Sequence, residues 1–176
     1  MSYRPASRPK AMTEETCPPV SVSRTIGAPA DKLFSILARP ARHPLIDGSG
    51  MVVRADSDAV LSGVGDVFDM KMHNDEMGEY EMTNCVFQYE LNRQIGWEPA
   101  LKAASRDEDQ EGIGDPALHR WAFDLLPVDA GSTLVTETYD CSRSPEWLRK
   151  AVRGGERWRD SMTLTLEKLD VLSRNS

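Results

Sequence analysis

The stretch SPEWLRKAVRGGERWRDSMTLTLEKLDVLSR, Ser144 to Arg174, decides the fold. At 100° per residue, Trp147, Leu148, Ala151, Gly155, Trp158, Met162, Thr165, Leu166, Leu169 and Leu172 fall within roughly 120° of arc. Arg149, Arg153, Glu156, Arg157, Asp160, Glu167 and Lys168 take the other side. The spacing predicts one amphipathic helix on the order of 40 Å long. Ser144 is its expected N-cap, with Pro145 at the first helical position, where a missing N–H costs nothing. Gly154 and Gly155 are each worth roughly 1 kcal/mol less than alanine in a helix interior. They predict close packing or a bend, or volume left for a ligand beside Gly155. Such a stripe needs a broad apolar surface to lie on.

That surface is found upstream. From Met51 to Cys141 the apolar period is two rather than 3.6. Met51 to Ala55, Val67 to Met72, Glu79 to Val86, Arg93 to Trp97, Leu118 to Leu125 and Thr133 to Cys141 read as strands with turn residues between them. Short connections without intervening helices predict a mostly antiparallel sheet with one wet and one apolar face. Val20 to Ile26 adds a first strand, giving about seven. Pro29 opens a short helix carrying Leu33, Phe34, Ile36 and Leu37, which Pro40 ends. A second short helical turn, with His43, Pro44, Leu45 and Ile46, runs into the turn Asp47-Gly48-Ser49-Gly50.

Composition narrows the function classes. The 176 residues carry 28 acidic and 21 basic side chains, a formal charge of -7, which gives no electrostatic support for nucleic acid or an anionic membrane surface. No run reaches the roughly 18 apolar residues of a membrane helix, and the N-terminal segment lacks the apolar core of a signal peptide, so a cytoplasmic protein is expected. Cys17, Cys85 and Cys141 form neither a metal-ligand spacing nor an even disulfide set. Residues 1-18 read as a disordered leader and 19-174 as a single domain. The acidic segment 99-116 is too long for an ordinary hairpin and reads as an exposed insertion, or alternatively a lid.

Strand, two short helices, six further antiparallel strands and a long C-terminal helix is the order of the α+β helix-grip fold. At residue level the chain resembles the polyketide cyclase/dehydrase and lipid-transport branch of the START-like, Bet v 1-like (SRPBCC) superfamily. The matching stretches are IGAPADKLFSIL (26–37), RHPLIDGSG (42–50), GDVFDMKM (65–72), IGWEP (95–99), HRWAFDLLPVDAGSTLVTETYD (119–140) and the C-terminal segment. The acidic insertion departs from the short connection usual there. The resemblance implies a curved sheet wrapped around the long helix, with a cavity between them for a hydrophobic small molecule.

The alternation itself supplies the residues facing that space. These are Phe68, Met70, Met72, Tyr80, Met82, Asn84, Ile95, Trp97, His119, Trp121 and Phe123 from the sheet, faced by Trp158 and Met162. Gly155 is expected beside them. For the Thr133 to Cys141 strand both faces are plausible; Leu134, Thr136 and Thr138 are assigned inward because the other face carries Glu137. Leu148, Ala151, Leu166 and Leu169 are expected in plain core. Methionines and aromatics suit an adaptable apolar pocket. Tyr80, Asn84 and His119 are its polar members, able to orient a ligand carbonyl or hydroxyl. His73 is expected in solvent, and His43 to cap or pack in its loop.

No P-loop, dinucleotide fingerprint, nucleophile elbow or metal-spaced histidine pair occurs, and no cofactor or metal is expected. The primary expectation is a carrier or sensor of a lipid or polyketide-like molecule. The alternatives are a cyclase or dehydratase with His119 as candidate general base or acid, and a protein-interaction domain. The oligomeric state, monomer or homodimer, stays open.

Overall fold

The computed structural model describes residues 17–102 and 117–175. Most of the acidic insertion and nearly all of the leader lie outside the described residues. β1 (Val20–Ile26), α1 (Ala30–Leu37), a 3-10 turn (Pro40–Arg42) and α2 (His43–Ile46) come first. β2 (Val52–Ala55), β3 (Val67–Asn74), β4 (Gly78–Glu90), β5 (Gln94–Leu101), β6 (Arg120–Asp129) and β7 (Ser132–Asp140) follow. The strands form one seven-stranded antiparallel sheet in the order β1-β7-β6-β5-β4-β3-β2. Register shifts in β2, β4 and β6 bend it. The result is the expected α+β helix-grip fold, a curved sheet closed on one side by the C-terminal helical segment.

The wet face of the sheet is held by charge. Lys102 Nζ lies 2.7 Å from Asp69 and 3.0 Å from Glu81, which also meets Lys71 at 2.8 Å. Arg120 and Arg143 share Glu98, each at 2.8 Å. On the other face Ile26, Leu33, Phe34, Ile36, Leu37, Val86, Ile95, Phe123, Val135, Leu166 and Leu169 make a dry core. α1 contributes its four predicted apolar residues to it.

The C-terminal segment is not one continuous helix. α3 (Glu146–Ala151) is followed by a 3-10 stretch (Arg153–Trp158) and then by α4 (Arg159–Arg174), 16 residues or roughly 24 Å long. The break is at the two glycines, Gly154 at φ 63° and Gly155 at φ 101°. A Cβ on Gly155 would sit 2.9 Å from the Tyr139 ring and 3.0 Å from Val20, so the glycine serves close packing against β7 and β1 and leaves no ligand volume. Ser144 does not cap: Pro145 holds the N-cap position and the buried Ser144 hydroxyl has no partner. Cys17 and Cys141 are free thiols 3.7 Å apart beside this bend.

The inward face of β7 is the opposite of the expected one. Thr133, Val135, Glu137 and Tyr139 are buried. Thr136 and Thr138 point outward, where their hydroxyls meet those of Ser23 and Ser21 at 2.8 Å. The physical reason is register: β6 pairs Trp121 with Tyr139 and Phe123 with Glu137, so Glu137 shares a face with the apolar residues of β6. Leu148 packs, partly buried, against the cluster of Tyr139, Val152 and Met162, whereas Ala151 is exposed and takes no core role. Leu166 and Leu169 are fully buried as expected. Among the described residues no helix is long and apolar enough to cross a membrane.

Candidate functional site

Between sheet and helices lies a cavity of about 560 Å³. Antiparallel pairing lays its floor out in rows. Met72 faces Tyr80, Met70 faces Met82 and then Leu101, and Phe68 faces Asn84 and then Pro99. Trp97 continues to Trp121, and Phe123 to Glu137. Phe68, Met70, Met72, Tyr80, Met82, Asn84, Trp97, Trp121 and Phe123 line the cavity, as do His119, Trp158 and Met162, whereas Ile95, expected beside them, packs in the dry core. Thr136, Thr138 and Gly155 do not. α3 covers one side with Leu148, Ala151 and the half-exposed Trp147, and Met77 from the β3–β4 turn also lines the space.

The loop after α2 holds α4 in place over this floor. Asp47 accepts from the Ser49 and Val52 N–H groups, both at 2.9 Å, and fixes the turn. Gly48 donates its N–H to Thr165 Oγ1 at 3.0 Å, and Lys168 Nζ donates to the Asp47 carbonyl at 2.7 Å. A Cβ on Gly48 would collide with the Ser161 carbonyl, so backbone packs on backbone here.

His43 packs as expected, and in doing so forms part of the cavity wall. Its ring stacks on Trp97 at 4.9 Å and meets Phe68 edge-on at 5.7 Å, while Nε2 bonds the Leu37 carbonyl at 2.8 Å. Burial lowers its pKa to about 4, only partly opposed by that bond and by the charge of Asp47. His119 precedes β6, after Leu118 at φ 54°. Its Nδ1 is 3.0 Å from the Tyr139 hydroxyl. Burial brings it to about 4 as well, with Glu98 pulling weakly the other way. Both imidazoles are therefore neutral at physiological pH, and His119 can act as an acceptor or base rather than a cation. Burial holds the Tyr139 phenol above its usual range, and the nearby Trp158 indole N–H, which lacks hydrogen-bond geometry, offsets only part of that.

The remaining polar groups are loosely held. Asn84 Nδ2 donates to the Phe68 carbonyl and Asn74 Nδ2 to the Tyr80 hydroxyl, each at 3.4 Å, long for such bonds. Burial raises the Tyr80 pKa. Glu137, expected to face outward, lines the cavity instead; burial, with the charge of Asp47, pushes its carboxyl well above the usual range. The signal that could have found it is the parity of Val135, Tyr139 and Cys141, bulkier than Leu134, Thr136 and Thr138. Among the described residues no cluster of three or more His, Cys, Asp or Glu is arranged to hold a metal ion.

No known family's sequence profile matches the chain. It is similar to the uncharacterized protein Rv0088 of Mycobacterium tuberculosis, 31% identical over 121 residues, which are 69% of this chain and 46% of that one. The chain thus spans about half the length of the curated relatives it matches. Among solved structures it is similar to protein NE0264 from Nitrosomonas europaea, with a TM-score of 0.63 and 15% identity over 94% of this chain and 99% of that one. It is also similar to the di-domain ARO/CYC BexL from the BE-7585A biosynthetic pathway, with a TM-score of 0.59 and 14% identity, covering 89% of this chain and 47% of BexL. At these identities the structural likeness establishes the shared fold.

Proposed function

We propose that the protein binds a hydrophobic small molecule, a lipid or a polyketide-like compound, between sheet and C-terminal helices, and acts as its carrier or sensor in the cytoplasm. In this reading it belongs to the polyketide cyclase/dehydrase and lipid-transport branch of the START-like superfamily. The observation that carries the reading is the cavity, about 560 Å³ and walled mainly by methionine and aromatic side chains. Small-molecule sites span roughly 300–1,000 Å³ and combine such walls with a few polar groups. Native mass spectrometry of the protein purified from cells, delipidated and then offered lipid extract tests it. A retained apolar ligand is expected, with Trp158 fluorescence changing on re-addition. A protein that takes up no ligand would leave only a surface-acting role.

One contact favours a second, enzymatic reading. A neutral His119 whose Nδ1 lies 3.0 Å from the Tyr139 hydroxyl at the cavity wall is a candidate proton acceptor facing an apolar space, a group that a cyclase or dehydratase acting on a keto substrate would need. On this reading His119→Ala abolishes turnover while leaving ligand retention intact. Unchanged turnover would remove the catalytic role and keep the carrier.

A further inference from the structure

Glu137 pairs across the sheet with Phe123, which also lines the cavity, on one side and with Val22 on the other. It is 4% exposed, it lines the cavity, and its Oε2 is buried without a hydrogen-bond partner. Among the described residues none bonds it or forms an ion pair with it. Leaving a buried polar group unpaired is unfavourable, and an apolar residue of similar shape would avoid that cost. The partner that Glu137 Oε2 lacks among the described residues is therefore one that a ligand can bring.

We propose that Glu137 is the polar anchor of the cavity and selects uncharged ligands bearing an acceptor oxygen, such as a ketone, quinone or lactone carbonyl, to which its carboxylic acid donates. This rests on the cavity reading above and adds the ligand's chemistry to it. A protonated carboxyl carries one O–H donor. Burial keeps it in that form, and Asp47, also lining the cavity, opposes a second negative charge. The same Asp47 disfavours an anionic ligand. A cationic ligand would have to strip the proton and be desolvated itself. Among the described residues the one lysine or arginine lining the cavity is Arg157, which is exposed and lies with its guanidinium over the Trp158 ring.

Matched probes of one skeleton test the assignment: fluorene, which has no acceptor, 9-fluorenone, which has one, and the 9-fluorenylammonium cation. Their affinities are measured by equilibrium dialysis against the wild-type chain, Glu137→Gln and Glu137→Leu. The wild type is expected to bind 9-fluorenone about tenfold more tightly than fluorene, the scale of one buried hydrogen bond. Glu137→Gln, which keeps an N–H donor, should retain most of that preference. Glu137→Leu should lose it while still binding fluorene, which also shows that the variant is folded. Equal binding of fluorene and 9-fluorenone by the wild type overturns the anchor and leaves the cavity reading standing. A preference that survives in Glu137→Leu places the donor elsewhere, and stronger binding of the ammonium replaces the neutral donor with an ion pair. If none of the three probes binds, the cavity reading fails and the anchor with it.

Discussion

Asp170 and Glu137 are buried to nearly the same degree, 3% and 4% exposed, and their surroundings are opposite. Asp170, on the last turns of α4, accepts from Arg24 at 3.2 Å and from Arg174 at 2.8 Å through both carboxylate oxygens. Glu137 lines the cavity, and its Oε2 has no hydrogen-bond partner among the described residues. The difference separates two ends of one helix–sheet interface. At the Asp170 end Leu166 and Leu169 fill the space against Ile26, Leu33 and Leu37, and the charge is satisfied. At the other end Trp158 and Met162 border open volume and polar groups keep unused capacity. One end holds the fold together, and the other carries the features of a site.

Truncation probes this contrast with the largest effect. Leu166→Ala is expected to lower the free energy of unfolding by about 3–4 kcal/mol, because a fully packed site cannot collapse around the lost atoms. Met82→Ala, on a wall that already faces volume, should cost less than about 1 kcal/mol. Equal losses in urea titrations would mean that the two ends are packed alike.

Acid probes the boundary, where His43 belongs to both the wall and the α1 contact. Its folded pKa of about 4 lies below the ordinary 6.5, so the unfolded chain takes up the proton first. The stability it contributes is complete above 6.5 and is lost as pH falls toward 4, at up to about 1.4 kcal/mol per pH unit. His43→Gln, which keeps a donor for the Leu37 carbonyl, should roughly halve the pH dependence of the denaturation midpoint over that window, the remainder coming from His119, lowered to about 4 in the same way. An unchanged slope would assign the acid sensitivity to other groups.

The carboxyls themselves give the next effect. Asp170→Asn should cost about 1–2 kcal/mol by weakening the charged hydrogen bonds to two arginines that remain partly solvated. Glu137→Gln should cost nothing or stabilise. The Glu137 carboxyl ionises near 4.5 when unfolded but holds its proton in the fold, so its contribution is complete below 4.5 and is lost as pH rises. The advantage of Glu137→Gln should therefore grow with pH. A stability difference independent of pH would place a partner on Glu137. The smallest expected effect is spectroscopic: Trp158→Phe should remove most of the emission change on ligand uptake with little change in stability, and a full residual change would shift the reporter to Trp97 or Trp121.

Much of the sheet was legible because β3 to β6 each have one plausible apolar face. Phe68, Met70 and Met72 alternate with Val67, Asp69 and Lys71, and Trp121 and Phe123 with Arg120 and Asp124. One-sided burial imposes that alternation locally, so it survives in the one-dimensional record. β7 was ambiguous for the same reason, since TLVTETYDC has threonines on both parities. A glutamate was read outward by its usual preference.

The sequence by itself thus determined the element order, the antiparallel sheet, its cavity face from β3 to β6 and the apolar stripe of α4, all written in short-range periodicity. Tertiary structure alone decided that Glu137 turns inward, because pairing Phe123 with Glu137 is a property of two strands. It also decided that the final helix breaks, because Gly155 must admit the Tyr139 ring where a Cβ would sit. And it decided that His43 is a cavity wall, because the stack on Trp97 joins residues far apart in the chain. Each of these depends on a neighbour brought in by the fold, and no local pattern encodes that neighbour.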